Sequence, residues 1–436
     1  MHESEYRAKL TTASAAVELI PSRGNLSMGM AASEPPALLQ ALEARVKAGT
    51  IDELRLYYSH CAAAAAATIL KYEYLEVIKP FPFFPTVVER MLVERGLRDN
   101  RHVVSYMPGN FSAMPRTLER IGIDAFIVMA SPMDKSGYFS CGTNSDYTIP
   151  VAHIAKRLIV EVNPNMPRTF GDSMLHISEV DAVIENESPL FAIPTRPATP
   201  TDNAIASIIA NMVPESATLQ IGLGGVPNAV CAALKNHKDL GIHTELMTPS
   251  VAGLIKCGAV TNKRKNIDRF KTVYTLAAGD QEFYEFLNNN PAMEPRAVDY
   301  VNDPFVIARN DRFVSISAFL EVGLDGEVNS ESIDGKQYSA PGGQLDFVRG
   351  AQMSKGGKSI LAAYSTAARG TISRIVPRID GPTTDPRSDV QFVVTEYGVA
   401  DLFAKSICER AEALIAIAHP YFRGQLEVQA KELGYL

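Results

Sequence analysis

The sequence predicts an α/β protein made of two similar halves, and three observations carry that expectation. Runs such as LIVEV (158–162), SILAAY (359–364) and FVVT (392–395) are apolar on both faces, as strands of a parallel sheet covered by helices must be. These runs alternate with helical patterns, the arrangement of a layered α/β fold. The two halves also repeat one another's landmarks in the same order, which points to a duplicated plan.

The repeat is visible residue by residue. In the first half Pro21 precedes Leu26, Met28 and Gly29, then a turn to Pro35 and the helical run ALLQALEARV. In the second, Pro214 precedes Leu219, Ile221 and Gly222, then a turn to Pro227 and NAVCAAL. Both prolines stand at the same distance before the glycine. Further on, DAFIVMASPMDKSGYFS (124–140) parallels RFVSISAFLEVGLDGEVNS (312–330), and DAVIENES (181–188) parallels QFVVTEYGVADL (391–402). Between the halves, IPTRPATPTD (193–202) is proline-rich and has little to bury, so it reads as an extended connector. The expected division is a domain over 1–193, a linker over 194–202 and a domain over 203–436.

Size and composition agree with this. A chain of 436 residues is too long for one ordinary core. Hydrophobic residues at 46% and charged residues at 21% are those of a globular protein in water. The net charge of −7 argues against nucleic acid as the main partner and leaves room for a local basic pocket that suits a phosphorylated ligand. The five cysteines, Cys61, Cys141, Cys231, Cys257 and Cys408, are odd in number and never at C-x-x-C spacing. They read as free thiols in a reducing compartment. The start, MHESEYRAKL, is polar and mixed in charge and does not read as a secretory leader. The longest apolar run, 61–70, is about half of what a membrane span needs. The expectation is a cytoplasmic protein with no membrane or nucleic-acid partner. Its eight histidines show no H-E-x-x-H or other metal-site pattern.

The chemistry is expected in LQIGLGGVPNAVCAALKNHKDLGIHTELM (219–247). A short strand leads into Gly222, Gly224 and Gly225, whose lack of side chains lets backbone N–H groups approach a ligand. Pro227 suits an early helical position. The helix is expected to run until Gly241. The strand after it carries one acid, Glu245, between Thr244 and Leu246, and a carboxylate on a buried strand is unfavourable unless something uses it. Glu245 is the candidate covalent nucleophile. On the turn alone, a ligand loop and a plain strand-to-helix turn stand level, because Pro227 takes the place of the third glycine in G-x-G-x-x-G. His243 shares a strand face with Glu245 and reads as a structural histidine.

Other stretches are weighed the same way. PGGQLDFVRGAQMSKGGK (341–358) has two Gly-Gly pairs with Arg349, Lys355 and Lys358 close by, and reads as a binding loop for a polyphosphate. It is not a Walker motif, since Gln352 stands at the first glycine position. Glu396, with its counterpart Glu185, reads as a structural acid at a strand end. Gly171-Asp172-Ser173-Met174 lacks a base for serine chemistry.

Taken together, GLGGVP (222–227), HTEL (243–246), GGQLDFVRGA (342–351) and TEYGVADL (395–402) resemble motifs of the acetyl-CoA hydrolase/transferase family, within the class I CoA-transferases. The likeness is greatest to 4-hydroxybutyrate CoA-transferases and relatives acting on other short acids, itaconate included. It covers nearly the whole chain. One departure is Thr248-Pro249-Ser250, where relatives often carry Ser/Thr-Asp-Gly, and it leaves substrate specificity open. The resemblance implies two NagB/RpiA-like α/β domains with largely parallel sheets, with the nucleophile and CoA site in the second. It implies Glu245 as the nucleophile that forms a glutamyl-CoA thioester. It places CoA on Gly222, Leu223, Gly224, Gly225, Val226, Leu320, Gly342, Gly343 and Lys358. CoA or acyl-CoA would enter as substrate, with acetyl-, succinyl- or butyryl-CoA as donor and a short-chain carboxylate as acceptor. No cofactor would be permanently bound, and a homo-oligomer is expected. The acid pocket is expected near 28–35 and 108–115. An acyl-CoA hydrolase and a non-catalytic CoA-binding protein are the rival readings, with a sugar-phosphate isomerase a distant third.

Overall fold

The computed structural model describes residues 2–193 and 196–436. Two of the residues expected in the linker, Pro194 and Thr195, lie outside them. The chain divides into two compact units, one formed by residues 2–193 with Val273–Tyr300, the other by 196–272 and 301–436.

The first unit contains β1 (Arg23–Met28), α1 (Pro36–Lys47), β2 (Glu53–Tyr58), β3 (Ile78–Pro82), β4 (Ala125–Ala130), β5 (Leu158–Val162) and β6 (Ala182–Glu185). The strands form one parallel sheet in the order β3-β2-β1-β4-β5-β6. AFIVMA in β4 is buried along its whole length. Alternate side chains point to opposite faces, so Phe126, Val128 and Ala130 enter one hydrophobic cluster while Ala125 and Ile127 enter another. This is why the run is apolar without alternation.

The second unit contains α2 (Pro200–Met212), β7 (Thr218–Ile221), α3 (Gly225–Ala233), β8 (Gly241–Met247), β9 (Phe313–Ser317), α4 (Gln344–Met353), β10 (Lys358–Ala362), β11 (Phe392–Thr395) and β12 (Gly398–Asp401). Within it the order is β8-β7-β9-β10-β11-β12, parallel until β12 turns back on β11. The order β8-β7-β9-β10-β11 repeats β2-β1-β4-β5-β6. The glycines singled out in the sequence also match: Gly29 N–H donates to the Ile127 carbonyl at 2.9 Å and Gly222 N–H to the Ile316 carbonyl at 3.0 Å.

Four expectations are corrected. The stretch read as linker runs into α2, because Thr199 and Asp202 cap that helix reciprocally with Pro200 in its first turn. Residues 273–300, expected in the second domain, cluster with the first unit. Most of 341–358, read as a loop, is α4, which Gly343 opens and which buries Phe347, Val348 and Ala351. The helix after the glycine turn also stops early. Ala233 ends α3, a short 3-10 turn follows, and Gly241 already belongs to β8, its N–H on the Ala217 carbonyl at 2.9 Å.

Among the described residues, no helix is long and apolar enough to cross a membrane, and no three His, Cys, Asp or Glu side chains group as metal ligands. All five cysteines are free.

Candidate active site

Strand β8 reads GIHTELM, and its period of two puts His243 and Glu245 on one face. Thr244 faces the other way, its hydroxyl 3.4 Å from the Ile221 amide of β7. Thr244 is thus level with Ile221, and Glu245 stands beside Gly222, where the glycine turn begins. Both lie at the C-terminal edge of the parallel strands, where open α/β sheets bind ligands.

The Glu245 carboxylate is held by two donors. Asn302 gives its side-chain amide to Oε2 at 2.6 Å, and the Gly343 N–H reaches the same carboxylate. Burial pushes the Glu245 pKa above the ordinary carboxylate range, while the Asn302 and Gly343 hydrogen bonds pull it back. The result is a desolvated acid oriented by neutral donors. Gly343 has no substitute here, since a Cβ on it would land on the Asn302 amide and on Glu245 Oε2.

His243 has no exposed surface. Its Nε2 donates to the Val301 carbonyl at 2.7 Å, and its ring packs edge-on to Phe313 and Phe347, with centroids 6.0 and 6.5 Å away. It is a packed structural histidine that fixes the backbone next to Asn302. Asn302 itself is fully buried. It lies in VNDP (301–304) with no motif around it, 57 positions from Glu245, so sequence reasoning missed it.

The glycine turn is open at its tip. Gly224 has φ +133°, a conformation that favours glycine, and it begins α3 with no side-chain cap. Leu223 is 51% exposed, unlike the buried strand before it. The first-turn N–H groups of α3 have no intrahelical partner of their own. Leu320, just beyond β9, is at the same edge, its carbonyl accepting from Arg374 at 2.8 Å.

Lys358 is not brought to this place. It is the first residue of β10, paired with Val314 near the start of β9, and so lies at the opposite, N-terminal edge. Its Nζ donates to the Met212 carbonyl at 2.8 Å. Glu396 accepts from the Ser365 N–H at 2.8 Å and from its hydroxyl at 2.6 Å, the bonding of a structural acid. In the first unit, 28–35 and 108–115 meet around Tyr147. The Tyr147 hydroxyl donates to the Met28 carbonyl at 2.7 Å, and Phe111 packs edge-on to its ring at 6.5 Å.

Glu245 is thus a half-buried acid beside an open glycine turn, and the comparisons give the class. Residues 1–194 match the profile of the acetyl-CoA hydrolase/transferase N-terminal domain and residues 279–430 that of its C-terminal domain. The chain belongs to the acetyl-CoA hydrolase/transferase family and is an enzyme that transfers CoA. Glu245 lies between the two matched regions. The chain is 41% identical to the succinyl-CoA:cyclohexane-1-carboxylate CoA transferase of Geobacter metallireducens, over 99% of this chain and 97% of that protein. It is also 41% identical to the 4-hydroxybutyrate coenzyme A transferase of Clostridium kluyveri, over 99% of each. The crystal structure of RipA from Yersinia pestis superposes with a TM-score of 0.98 at 52% identity, each chain fully covered.

Proposed function

We propose that the protein moves CoA from a short-chain acyl-CoA (acetyl-, succinyl- or butyryl-CoA) to a short carboxylate such as 4-hydroxybutyrate or itaconate, through a glutamyl-CoA thioester on Glu245. The observation that carries this is the carboxylate itself: desolvated, held by Asn302 and Gly343, and beside the Gly222 turn. The 4-hydroxybutyrate named for the Clostridium kluyveri relative supports the acceptor class, and the succinyl-CoA named for the Geobacter relative supports the donor class.

In the first half-reaction a Glu245 oxygen attacks the thioester carbonyl. The C–S bond breaks, CoA leaves as thiolate, and an acyl-glutamyl anhydride remains. The thiolate then attacks the glutamyl carbonyl carbon and expels the donor acid as carboxylate, leaving glutamyl-CoA. The acceptor carboxylate runs the sequence in reverse. No net proton is needed and the thioester bond is conserved, so no ATP is consumed. Asn302 and Gly343 are the donors placed to bear negative charge on the glutamyl oxygen. We assign the CoA phosphates to the backbone of Gly222, Leu223, Gly224, Gly225 and Val226, with Leu320, Gly342 and Gly343 along the same edge. Lys358 drops out of the set.

The test is to incubate enzyme with acyl-CoA, reduce with borohydride and map the modified peptide. Modification of Glu245 is expected, and active enzyme with an unmodified Glu245 peptide would overturn the assignment. Free CoA released without an added carboxylate would instead identify a hydrolase.

A further inference from the structure

Asp385 is a carboxylate the mechanism does not use, and it has no exposed surface. Its backbone is bridged to Val328, each N–H on the other's carbonyl at 3.0 and 3.1 Å. Its Oδ2 accepts from the Gln344 side-chain amide at 2.5 Å, and that amide also reaches the Ser330 hydroxyl at 2.8 Å. Its Oδ1 has no hydrogen-bond partner among the described residues. Burial pushes the Asp385 pKa to about 7. The Gln344 bond and Arg349 draw it down, and Asp389 and Glu331 add to the rise. Arg349 is itself paired with Asp389 at 3.2 Å.

An ionisable group sunk this deep with one side-chain donor costs the fold stability relative to an apolar residue of the same size. The side-chain contact it makes in return is with Gln344. Gln344 is the first residue of α4 and shares a peptide bond with Gly343, whose N–H holds Glu245. The path therefore runs from Asp385 through the Gln344 side chain to the Gly343 backbone and on to the nucleophile.

We propose that Asp385 is a positioning residue for the transfer reaction: by anchoring Gln344 it fixes the Gly342–Gly343 turn so that the Gly343 N–H and the Asn302 amide converge on Glu245. This rests on the glutamyl-CoA reading above. A role in holding the 328–345 segment folded, and nothing more, is the competing account, and the two differ in their kinetics.

The experiment compares Asp385→Ala, Asp385→Asn, Gln344→Ala and the Asp385→Ala/Gln344→Ala double variant. It measures kcat, KM for both substrates, the single-turnover burst of released donor acid, and circular dichroism. Misplacing one preorganised donor is expected to slow kcat and the burst by about tenfold or more, with KM within about twofold. The double variant should be no slower than either single one, since both break the same link. Asp385→Asn keeps an oxygen acceptor for Gln344 and should recover most of the rate. A wild-type burst in Asp385→Ala overturns the proposal, as do losses that multiply in the double variant or follow the loss of folded protein. If Asp385→Ala does not fold, Gln344→Ala decides: a slowed burst with near-normal Asp385→Asn supports the anchor, and a normal burst overturns it. Full transfer by Glu245→Ala would sink the glutamyl-CoA reading instead, whatever the Asp385 variants do.

Discussion

Replacing Asn302 with alanine tests how the carboxylate at the site is tuned. The bond it removes is short, 2.6 Å, and joins a neutral amide to an ionised oxygen. Such bonds to charged groups contribute roughly 1.5–3 kcal/mol. If the bond stabilises charge on the glutamyl oxygen along the reaction, its loss slows transfer by about 10- to 150-fold. The pH dependence has a definite sign. Asn302 lowers the Glu245 pKa against the larger effect of burial, so its removal lets that pKa rise further. Less of the nucleophile is then ionised at a given pH, and the acid limb of the kcat profile moves to higher pH. Asn302→Asp is the harsher form, because two carboxylates this close cannot both be charged. The assay is steady-state transfer across the neutral range with folding checked by circular dichroism. An unchanged rate, or an acid limb that moves to lower pH, would refute the argument.

Gly343→Ala puts a methyl onto the Asn302 amide and Glu245 Oε2; we expect kcat to fall by about 100-fold or more, and wild-type turnover would contradict the geometry. Lys358→Ala should leave KM for acyl-CoA unchanged and lower stability by about 1 kcal/mol in urea denaturation, since Nζ serves the Met212 carbonyl. Glu34 is buried, accepts the Ala62 and Ala65 N–H groups at 2.6 and 3.1 Å, and has its pKa pushed up to about 7 by burial. Its folded pKa is above the ordinary 4.5, so ionising it costs stability. Its contribution falls as pH rises from 4.5 towards about 7 and is flat above. Urea midpoints measured through that window should show a shallower decline in Glu34→Gln than in the parent.

The fold was largely legible because its strands are buried on both faces, so LIVEV, SILAAY and FVVT suit covered parallel strands. The duplication was legible because a glycine at a strand end is needed in both copies. What misled was glycine content without its context. Gly342 and Gly343 begin a helix, and the apolar spacing of Phe347, Val348 and Ala351 after them outweighs the loop signal. The proline-rich connector likewise hid Thr199-Pro200-Thr201-Asp202, a complete helix start. Glu245 was visible as an acid where a strand should be apolar. Asn302 was not, because the tertiary path that brings it to Oε2 leaves no local pattern. Lys358 failed for a related reason: a lysine near glycines looks like a phosphate ligand until strand direction assigns it to the far edge.

The repeat leaves one asymmetry that bears on where CoA binds. Ile127 pairs with Ile159 in the first unit, and Ile316 with Ile360 in the second. Two residues further along those strands stand Glu161 and Ala362. The Glu161 carboxylate is buried and accepts the Ala37 and Leu38 N–H groups at 3.3 and 3.0 Å, with the Asn186 amide at 2.7 Å. It fills the start of α1, the place where a helix would otherwise take an external anion. In the second unit a methyl occupies the matching position, and α3 begins at Gly224 with no side-chain cap. The acid that lies against Gly225, Asp202, is already engaged by Thr199 and Tyr364. An anionic ligand approaching the first turn meets a carboxylate that already accepts the helix N–H groups, whereas at the second no side chain caps the helix and the nearby Asp202 carboxylate is held by Thr199 and Tyr364. The strand position held by Glu161 in one unit and Ala362 in the other is thus one difference between the two glycine turns, and it agrees with the proposed placement of the CoA phosphates on Gly222 to Val226.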